Sequence, residues 1–303
     1  LYGDEFSGST NEFVLLTKAC HQTIGDAQGD LRTPPGTRRV TELQSDTARG
    51  IELLITWSVD SALLAHLGQL RLIQANGAGV DGILRGLPMS AASAGPVVCR
   101  TVDASLTGGM SSYVAWAVLD HLRDMPHYRD GQQQGRWSQR DLRLPATHTV
   151  GIAGAGALGQ ACARVLSALG FPVRTWSRNA RPGMDATMRQ FVGTGALDEF
   201  LSGCDTLVCL LPLTDDTRGF LGRRVFDALP RGAHVINVGR GEHAVDDDVV
   251  QALRGGQLAR ATFDVASLEP PPPGHLFWTC PGLVLTPHSA ARAGAAVLQE
   301  GSP

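Results

Sequence analysis

Residues His148–Gly159 read HTVGIAGAGALG. Three glycines, Gly154, Gly156 and Gly159, stand at the spacing GxGxxG. An apolar run, His148–Ala153, reads as a strand before them, and Ala157–Leu169 reads as a helix after them. In that setting the first glycine permits a tight turn. The second lets a pyrophosphate approach the backbone, and the third lets the helix pack closely on the strand. Backbone N–H groups at the helix start, Ala157 and Leu158 among them, then offer donors and a positive dipole end to phosphates. Small-residue-rich helix starts produce this spacing by chance, and glycine-rich packing alone is the alternative. The placement between strand and helix points to a bound dinucleotide.

The next strand decides which dinucleotide. It runs Pro172–Trp176 and continues Ser177-Arg178. An NAD site places an acidic residue about 20 residues beyond the glycines, where it takes the ribose hydroxyls. Ser177 occupies that place, Arg178 follows, and Arg181 lies close behind. Without the carboxylate there is no repulsion, and a guanidinium can hold a 2′-phosphate through charge-assisted bonds. The expectation is NADP(H) in preference to NAD(H), against the plainer possibility of solvated surface arginines. The missing acid also speaks against an S-adenosylmethionine enzyme.

Outward from this segment the alternation continues. Strands are expected at Thr206–Leu211, Ala233–Val238, Arg260–Val265 and Leu283–Thr286, with helices at Ala196–Ser202, Arg223–Leu229 and Asp246–Arg254. Towards the N-terminus, Glu12–Thr17, Glu52–Thr56 and Arg71–Ala75 read as strands, with helical spacing at Asp60–Leu67. Met110–Arg129 reads as one long helix, its end near Pro126 unsettled. Asp130–Arg143 is a polar surface arm with Trp137 exposed in it. Strand–helix–strand order means parallel sheets covered on both faces. The fold class is α/β with two doubly wound parallel-sheet domains, a flavodoxin-like substrate domain and a Rossmann NAD(P)-binding domain. The expected divisions are 1–98, 99–291 and a short tail, 292–303.

Composition narrows the function classes. The chain has 303 residues, 43% hydrophobic and 18% charged, so it can bury sizeable cores. Its net charge of −3 has no basic block behind it and no acidic tail, which argues against nucleic acid or an anionic membrane surface as the main partner. No apolar run approaches the roughly 18 residues of a membrane span, and no signal peptide opens the chain. Six scattered cysteines without a CxxC pair argue against disulfides or zinc and fit a reducing cytoplasm. No metal site is expected.

Chemistry is expected where strands end, because the carboxyl edge of a parallel sheet faces the ligand crevice. Arg240, in Asn237-Val238-Gly239-Arg240-Gly241, suits a substrate carboxylate and its neighbouring carbonyl. His288, in Thr286-Pro287-His288, could donate a proton near neutrality, with Glu269 as the carboxylate that orients it and raises its pKa. Asp264 ends a strand on the same edge. Each of Asp264, Glu269 and His288, taken singly, is equally a surface or packing residue. His148 and His234 read as structural. Asp246-Asp247-Asp248 reads as capping and charging a helix N-terminus rather than a metal site, and Pro270–Pro273 as a stiff loop behind Glu269. Ala75–Asp81, AsnGlyAlaGlyVal at its centre, could form an anion nest from free backbone N–H groups or be a plain strand-to-helix turn.

In order and spacing these segments resemble the D-isomer-specific 2-hydroxyacid dehydrogenases, in particular the glyoxylate/hydroxypyruvate reductases of the A type. The likeness spans about Val14–Ala291. It rests on GAGVD (Gly77–Asp81), VGIAGAGALG (Val150–Gly159), TWSR (Thr175–Arg178), LLPLTDDT (Leu210–Thr217), NVGRG (Asn237–Gly241), FDVASLEP (Phe263–Pro270) and TPHSAA (Thr286–Ala291). The resemblance implies that NADPH reduces a small 2-keto acid, glyoxylate or hydroxypyruvate. Arg240 would bind carboxylate and carbonyl, His288 would donate the proton, and Glu269 would support His288. Gly77 and the amides of Ala78 and Gly79 would meet the substrate from the first domain, with Trp57 near it. Leu211, Pro212 and Thr217 would line the nucleotide groove. Val238 and Gly239 would lie near the nicotinamide, and Asp264 would hold its carboxamide. A homodimer is implied, with the Trp137 arm in the contact. The sequence departs from the family in NVGRG, in the residues after Asp264-Val265, and in ending at Pro303 where the family continues with a long helix. That ending leaves open a truncated inactive member, and the fold leaves open a non-catalytic nucleotide sensor.

Overall fold

The computed structural model describes residues 13–15, 38–39, 51–75, 77–87, 95–181 and 188–291; the tail expected at 292–303 lies outside them. The described residues up to Asp103 form one compact unit and those from Ala104 a second.

In the first unit, five parallel strands lie in the order β2-β1-β3-β4-β5: β1 (Phe13–Leu15), β2 (Arg38–Arg39), β3 (Leu53–Thr56), β4 (Leu72–Ala75) and β5 (Val97–Arg100). That 2-1-3-4-5 order is the flavodoxin-like one. The division expected after residue 98 falls inside β5, whose Val97 and Arg100 are exposed at the sheet edge. Helix α1 (Ser61–Leu64) starts where the Asp60 carboxylate accepts from Ala62 N–H at 2.9 Å. Helix α2 (Asp81–Leu84) follows β4. Ile51, Leu54, Ile73, Ala75 and Ile83 are fully buried and form this unit's core.

The second unit carries seven parallel strands in the order β12-β11-β10-β9-β6-β7-β8. These are β6 (Val150–Ala153), β7 (Val173–Ser177), β8 (Arg189–Val192), β9 (Thr206–Cys209), β10 (Ala233–Asn237), β11 (Leu258–Phe263) and β12 (Leu283–Leu285). Strand order reverses between β6 and β9, the switch point outside which such sheets bind ligands. Side chains alternate along the strands. Val150, Ile152, Val208, Ile236 and Val238 join one core, which they share with α3 (Ala104–Leu122) and α5 (Ala157–Ala168). Ala153, Leu207, Cys209, Val235, Ala261 and Phe263 join the other, with α6 (Leu197–Leu201), α7 (Arg223–Ala228) and α8 (Asp246–Arg254). Burial on both faces explains why these strands read as continuous apolar runs.

Two local expectations change. The helix expected over Met110–Arg129 is two helices, α3 and α4 (Met125–Gln133), because Asp124 adopts φ +49° and Pro126 lies in the first turn of α4. A proline there has no intrahelical N–H to lose. Strand β8 escaped the sequence pattern: it is an edge strand whose one buried side chain is Phe191.

Candidate active site

The carboxyl edge of the second sheet begins with the glycine turn. Gly154 has φ +112°, and a Cβ there would stand 2.4 Å from the Leu210 carbonyl oxygen. A Cβ on Gly159 would lie 1.9 Å from the Gly154 oxygen, so the helix sits directly on the turn. Around Gly156 there is open space. The three positions thus divide as turn, approach and packing, which fits a pyrophosphate against the backbone. Gly156 is the N-cap of α5, with no side chain capping its first N–H groups, Ala157 and Leu158 included. Ser177, at the end of β7, is buried and donates its hydroxyl to the Asn179 carbonyl at 2.8 Å. Arg178 is exposed and pairs with Asp216 at 3.1 Å. The Arg181 backbone is held by the Gln190 side chain, and its own side chain is exposed. In the facing loop the Thr217 hydroxyl donates to the Pro212 carbonyl at 2.6 Å, next to the buried Leu211.

Arg240 follows β10 in a braced turn. Asn237, fully buried, donates from Nδ2 to the Arg240 carbonyl at 2.9 Å and accepts from Gly239 N–H at 3.2 Å. The Arg240 N–H donates to His243 Nδ1 at 3.0 Å, and Arg240 Nη1 donates to the Gly239 carbonyl at 2.8 Å. Val238 is buried beneath.

His288 Nδ1 lies 2.8 Å from Glu269 Oε2, and Glu269 Oε1 accepts from Ala266 N–H at 3.2 Å. Both side chains are about half exposed. The Glu269 hydrogen bond is the largest influence on His288 and raises its pKa, reinforced by the charges of Glu269 and Asp264 and opposed by burial and Arg240. Burial pushes the Glu269 carboxyl up, but the bond and charge of His288, the Ala266 N–H and Arg240 outweigh it and leave it below its ordinary value. The opposed shifts describe an ion pair, and Arg240 acts on both members.

Asp264 is buried at the end of β11 and organises the segment that carries His288. Its Oδ1 accepts from the Thr286 hydroxyl at 2.5 Å and from Ser289 N–H at 2.8 Å and Oγ at 3.2 Å; its Oδ2 accepts from Ala290 N–H at 2.8 Å. His288 sits at φ +50° between these contacts, a conformation a non-glycine residue holds only where its surroundings over-determine it. The geometry therefore gives Asp264 a loop-holding task, with three bonds on Oδ1 and a single one on Oδ2. The Tyr113 hydroxyl completes the chain at 2.6 Å from Thr286 Oγ1, and burial pushes its pKa up to about 12. Behind Glu269, Asp246 Oδ2 accepts from His275 Nε2 at 3.2 Å and Ser267 Oγ at 3.3 Å, tying both ends of the proline loop to α8. The acidic run thus charges the first turn of α8 as expected but does not cap it: the chain enters the helix one residue earlier, so the N-cap is Val245, whose apolar side chain has no oxygen to accept a cap bond.

In the first unit the turn Gly77–Val80 joins β4 to α2; Asn76 lies outside the described residues. A Cβ on Gly77 would stand 2.7 Å from the Trp57 ring, so the indole, 60% exposed, lies against that turn. Ala78 and Gly79 lie within the same turn, and the Arg100 guanidinium reaches the Ala78 carbonyl at 3.5 Å.

The sequence reading missed Asn237, His243, Tyr113 and Asp246. Each acts on a backbone group or through a second residue, and no spacing rule marks that. Among the described residues no group of three or more His, Cys, Asp or Glu could hold a metal ion, and no helix is long and apolar enough to cross a membrane.

The NAD-binding domain model of the D-isomer specific 2-hydroxyacid dehydrogenases matches residues 115–290. A glyoxylate/hydroxypyruvate reductase A of Serratia proteamaculans is 39% identical over 84% of this chain and 81% of its own length. The NADPH-dependent glyoxylate/hydroxypyruvate reductase of Sinorhizobium meliloti, solved with NADP and sulfate, superposes with a TM-score of 0.83 at 33% identity, covering 95% of this chain and 92% of that one. A 2-hydroxyacid dehydrogenase of Xanthobacter autotrophicus, solved with NADPH and MES, gives 0.79 at 32% identity over 93% and 90%. On these matches and this geometry, the chain belongs to the D-isomer specific 2-hydroxyacid dehydrogenase family.

Proposed function

We propose that the chain reduces small 2-keto acids, glyoxylate to glycolate and hydroxypyruvate to D-glycerate, with NADPH preferred over NADH. The observation that carries this reading is the Glu269–His288 bond of 2.8 Å beside Arg240. With its pyrophosphate held at the glycine turn, NADPH would supply the hydride from its reduced nicotinamide. Every other task falls to the chain. Arg240 holds the substrate carboxylate and draws charge onto its carbonyl oxygen. His288, kept protonated by Glu269, delivers a proton to that oxygen as the carbon is reduced. In the first unit Gly77, Ala78 and Gly79, in the turn against which Trp57 lies, are substrate-binding residues whose backbone amides suit a carboxylate. Val238 and Gly239 would border the nicotinamide, and Asp264, at the end of β11, would hold its carboxamide.

The cofactor preference rests on Ser177 and the Arg178 and Arg181 guanidiniums where an acid would favour NAD. Two relatives solved with NADP or NADPH support it. The assembly we propose is a cytoplasmic homodimer through the second unit, supported by Trp137, Leu142 and Leu144, which are 97%, 66% and 53% exposed on one arm. A nucleotide sensor would have no use for a proton-donating pair, which favours the enzyme.

The test is NADPH consumption with glyoxylate and with hydroxypyruvate, beside NADH and beside His288→Ala. Expected is turnover with NADPH, weaker with NADH, and a loss of about 100-fold or more in the variant. Undiminished turnover in His288→Ala overturns the assignment of His288.

A further inference from the structure

Among the buried histidines that the mechanism leaves unused, His243 is the one beside the Arg240 turn. Its side chain is fully buried behind the Arg240 turn, at the end of the short 3-10 helix Gly241–His243. Nδ1 accepts the Arg240 backbone N–H at 3.0 Å, and Nε2 lies 3.4 Å from the Pro212 carbonyl, to which it donates. That carbonyl is the one already held by the Thr217 hydroxyl. One imidazole therefore touches the turn assigned to the substrate and the loop assigned to the nucleotide. Gly239 leaves room for it: a Cβ there would stand 2.9 Å from Nδ1 and 3.3 Å from the Leu211 oxygen.

We infer that His243 is a positioning residue, a strut whose two ring nitrogens fix the Arg240 turn and the Pro212–Thr217 loop in register with each other. Histidine suits the task because a neutral ring offers an acceptor at one nitrogen and a donor at the other across a rigid span. Burial is the main reason the ring stays neutral; the positive charge of Arg240 acts in the same direction, and the Pro212 and Arg240 backbone contacts and Glu242 oppose it. A charged ring would lose the acceptor and with it the Arg240 N–H. The Asn237 side chain braces the same turn from within, through Gly239 and the Arg240 carbonyl. The His243 side chain carries a restraint from one loop to the other, beside the backbone bonds Gly219 N–H to Glu242 and Leu221 N–H to His243 further along.

The inference rests on the proposed roles of Arg240 and the nucleotide loop, and two substitutions separate it from them. In His243→Asn the amide reaches only the Nδ1 position, so it keeps the Arg240 contact and drops the Pro212 one. In His243→Gln it reaches the Nε2 position and does the reverse. Expected for His243→Gln is a rise in glyoxylate KM of about two- to tenfold with NADPH Kd close to wild type. His243→Asn is expected to weaken NADPH by a similar factor with glyoxylate KM nearly unchanged. Hydrogen exchange at the Arg240 amide should speed up in the Gln variant and not in the Asn variant, whatever Arg240 does in catalysis. Exchange and KM changing alike in both variants, or tracking only a lowered Tm, overturns the strut. Exchange that divides as stated while neither His243→Gln nor Arg240→Ala changes glyoxylate KM leaves the strut standing and removes Arg240 from substrate binding.

Discussion

The two edges of the second sheet use histidine in opposite ways. At the carboxyl edge His288 is half exposed, bonded to a carboxylate, and raised in pKa. At the other edge His121, at the end of α3, His148, ahead of β6, and His234, in β10, crowd together with ring centroids 4.7 Å and 5.7 Å apart, His121 standing between the other two. All three are buried, and burial is the largest cause of their depressed pKa, with His121 reaching about 3. His148 and His234 spend Nε2 on Thr206 and Thr262 of neighbouring strands at 2.8 Å and 2.9 Å. Asp120 lies beside them, buried and bonded to Arg129 and Arg260. The same side chain is pushed towards its charged form where it meets a carboxylate near solvent and held neutral where strands start. Environment, not residue type, separates function from structure here.

The largest expected effect falls at the exposed edge. Glu269→Gln removes the charge that keeps His288 protonated, and kcat should fall about 100-fold or more at neutral pH. Steady-state rates at saturating NADPH check this, and a loss of less than threefold would make Glu269 a bystander.

At the buried edge the effect is on stability. A histidine whose folded pKa lies below its unfolded value takes up its proton only on unfolding. Its stabilisation is complete above about pH 6.5 and is lost as pH falls towards the folded value. Three such groups steepen the acid limb by up to about 4 kcal/mol per pH unit. Arg143 and Arg260 add to the depression, and Asp205 opposes it at His148. His121→Phe should flatten the fall of Tm between neutral pH and pH 5; an unchanged slope breaks the contrast. The Glu269–His288 pair has its own window. The His288 contribution is present below about pH 6.5 and fades as pH rises through its raised folded pKa. That of Glu269 fades only as pH drops through its lowered folded value.

A smaller effect sharpens the description of the carboxyl edge. Arg178→Ala should cut the NADPH-over-NADH preference about tenfold, read from the Kd of each nucleotide. Its ion pair with Asp216 is largely exposed and worth little alone. Equal losses for both nucleotides would place Arg178 outside the 2′-phosphate contact.

Much of the carboxyl edge is legible in the chain because its residues follow strands. Gly154, Gly156, Arg240 and His288 stand within three residues of the end of an apolar run, Gly159 and Glu269 six beyond one, and α5 and α8 start where the pattern places them. The supporting residues are less legible because their partners are distant or are backbone. Tyr113 reaches Thr286 across 173 positions, and the Asn237 side chain bonds to backbone of the turn it opens. The break at Asp124 and strand β8 escape for a different reason. A left-handed residue two positions before a proline and a four-residue edge strand leave almost no periodic trace.

The most direct measurement is the pH dependence of kcat/KM for glyoxylate reduction by NADPH, in the wild type and in Glu269→Gln. A proton donor must be protonated, so the rate should fall on the alkaline side as pH passes the raised pKa of His288. That limb should move to lower pH when the Glu269 charge is gone. An alkaline limb that stays in place in Glu269→Gln contradicts the assignment of the Glu269–His288 pair as the proton source.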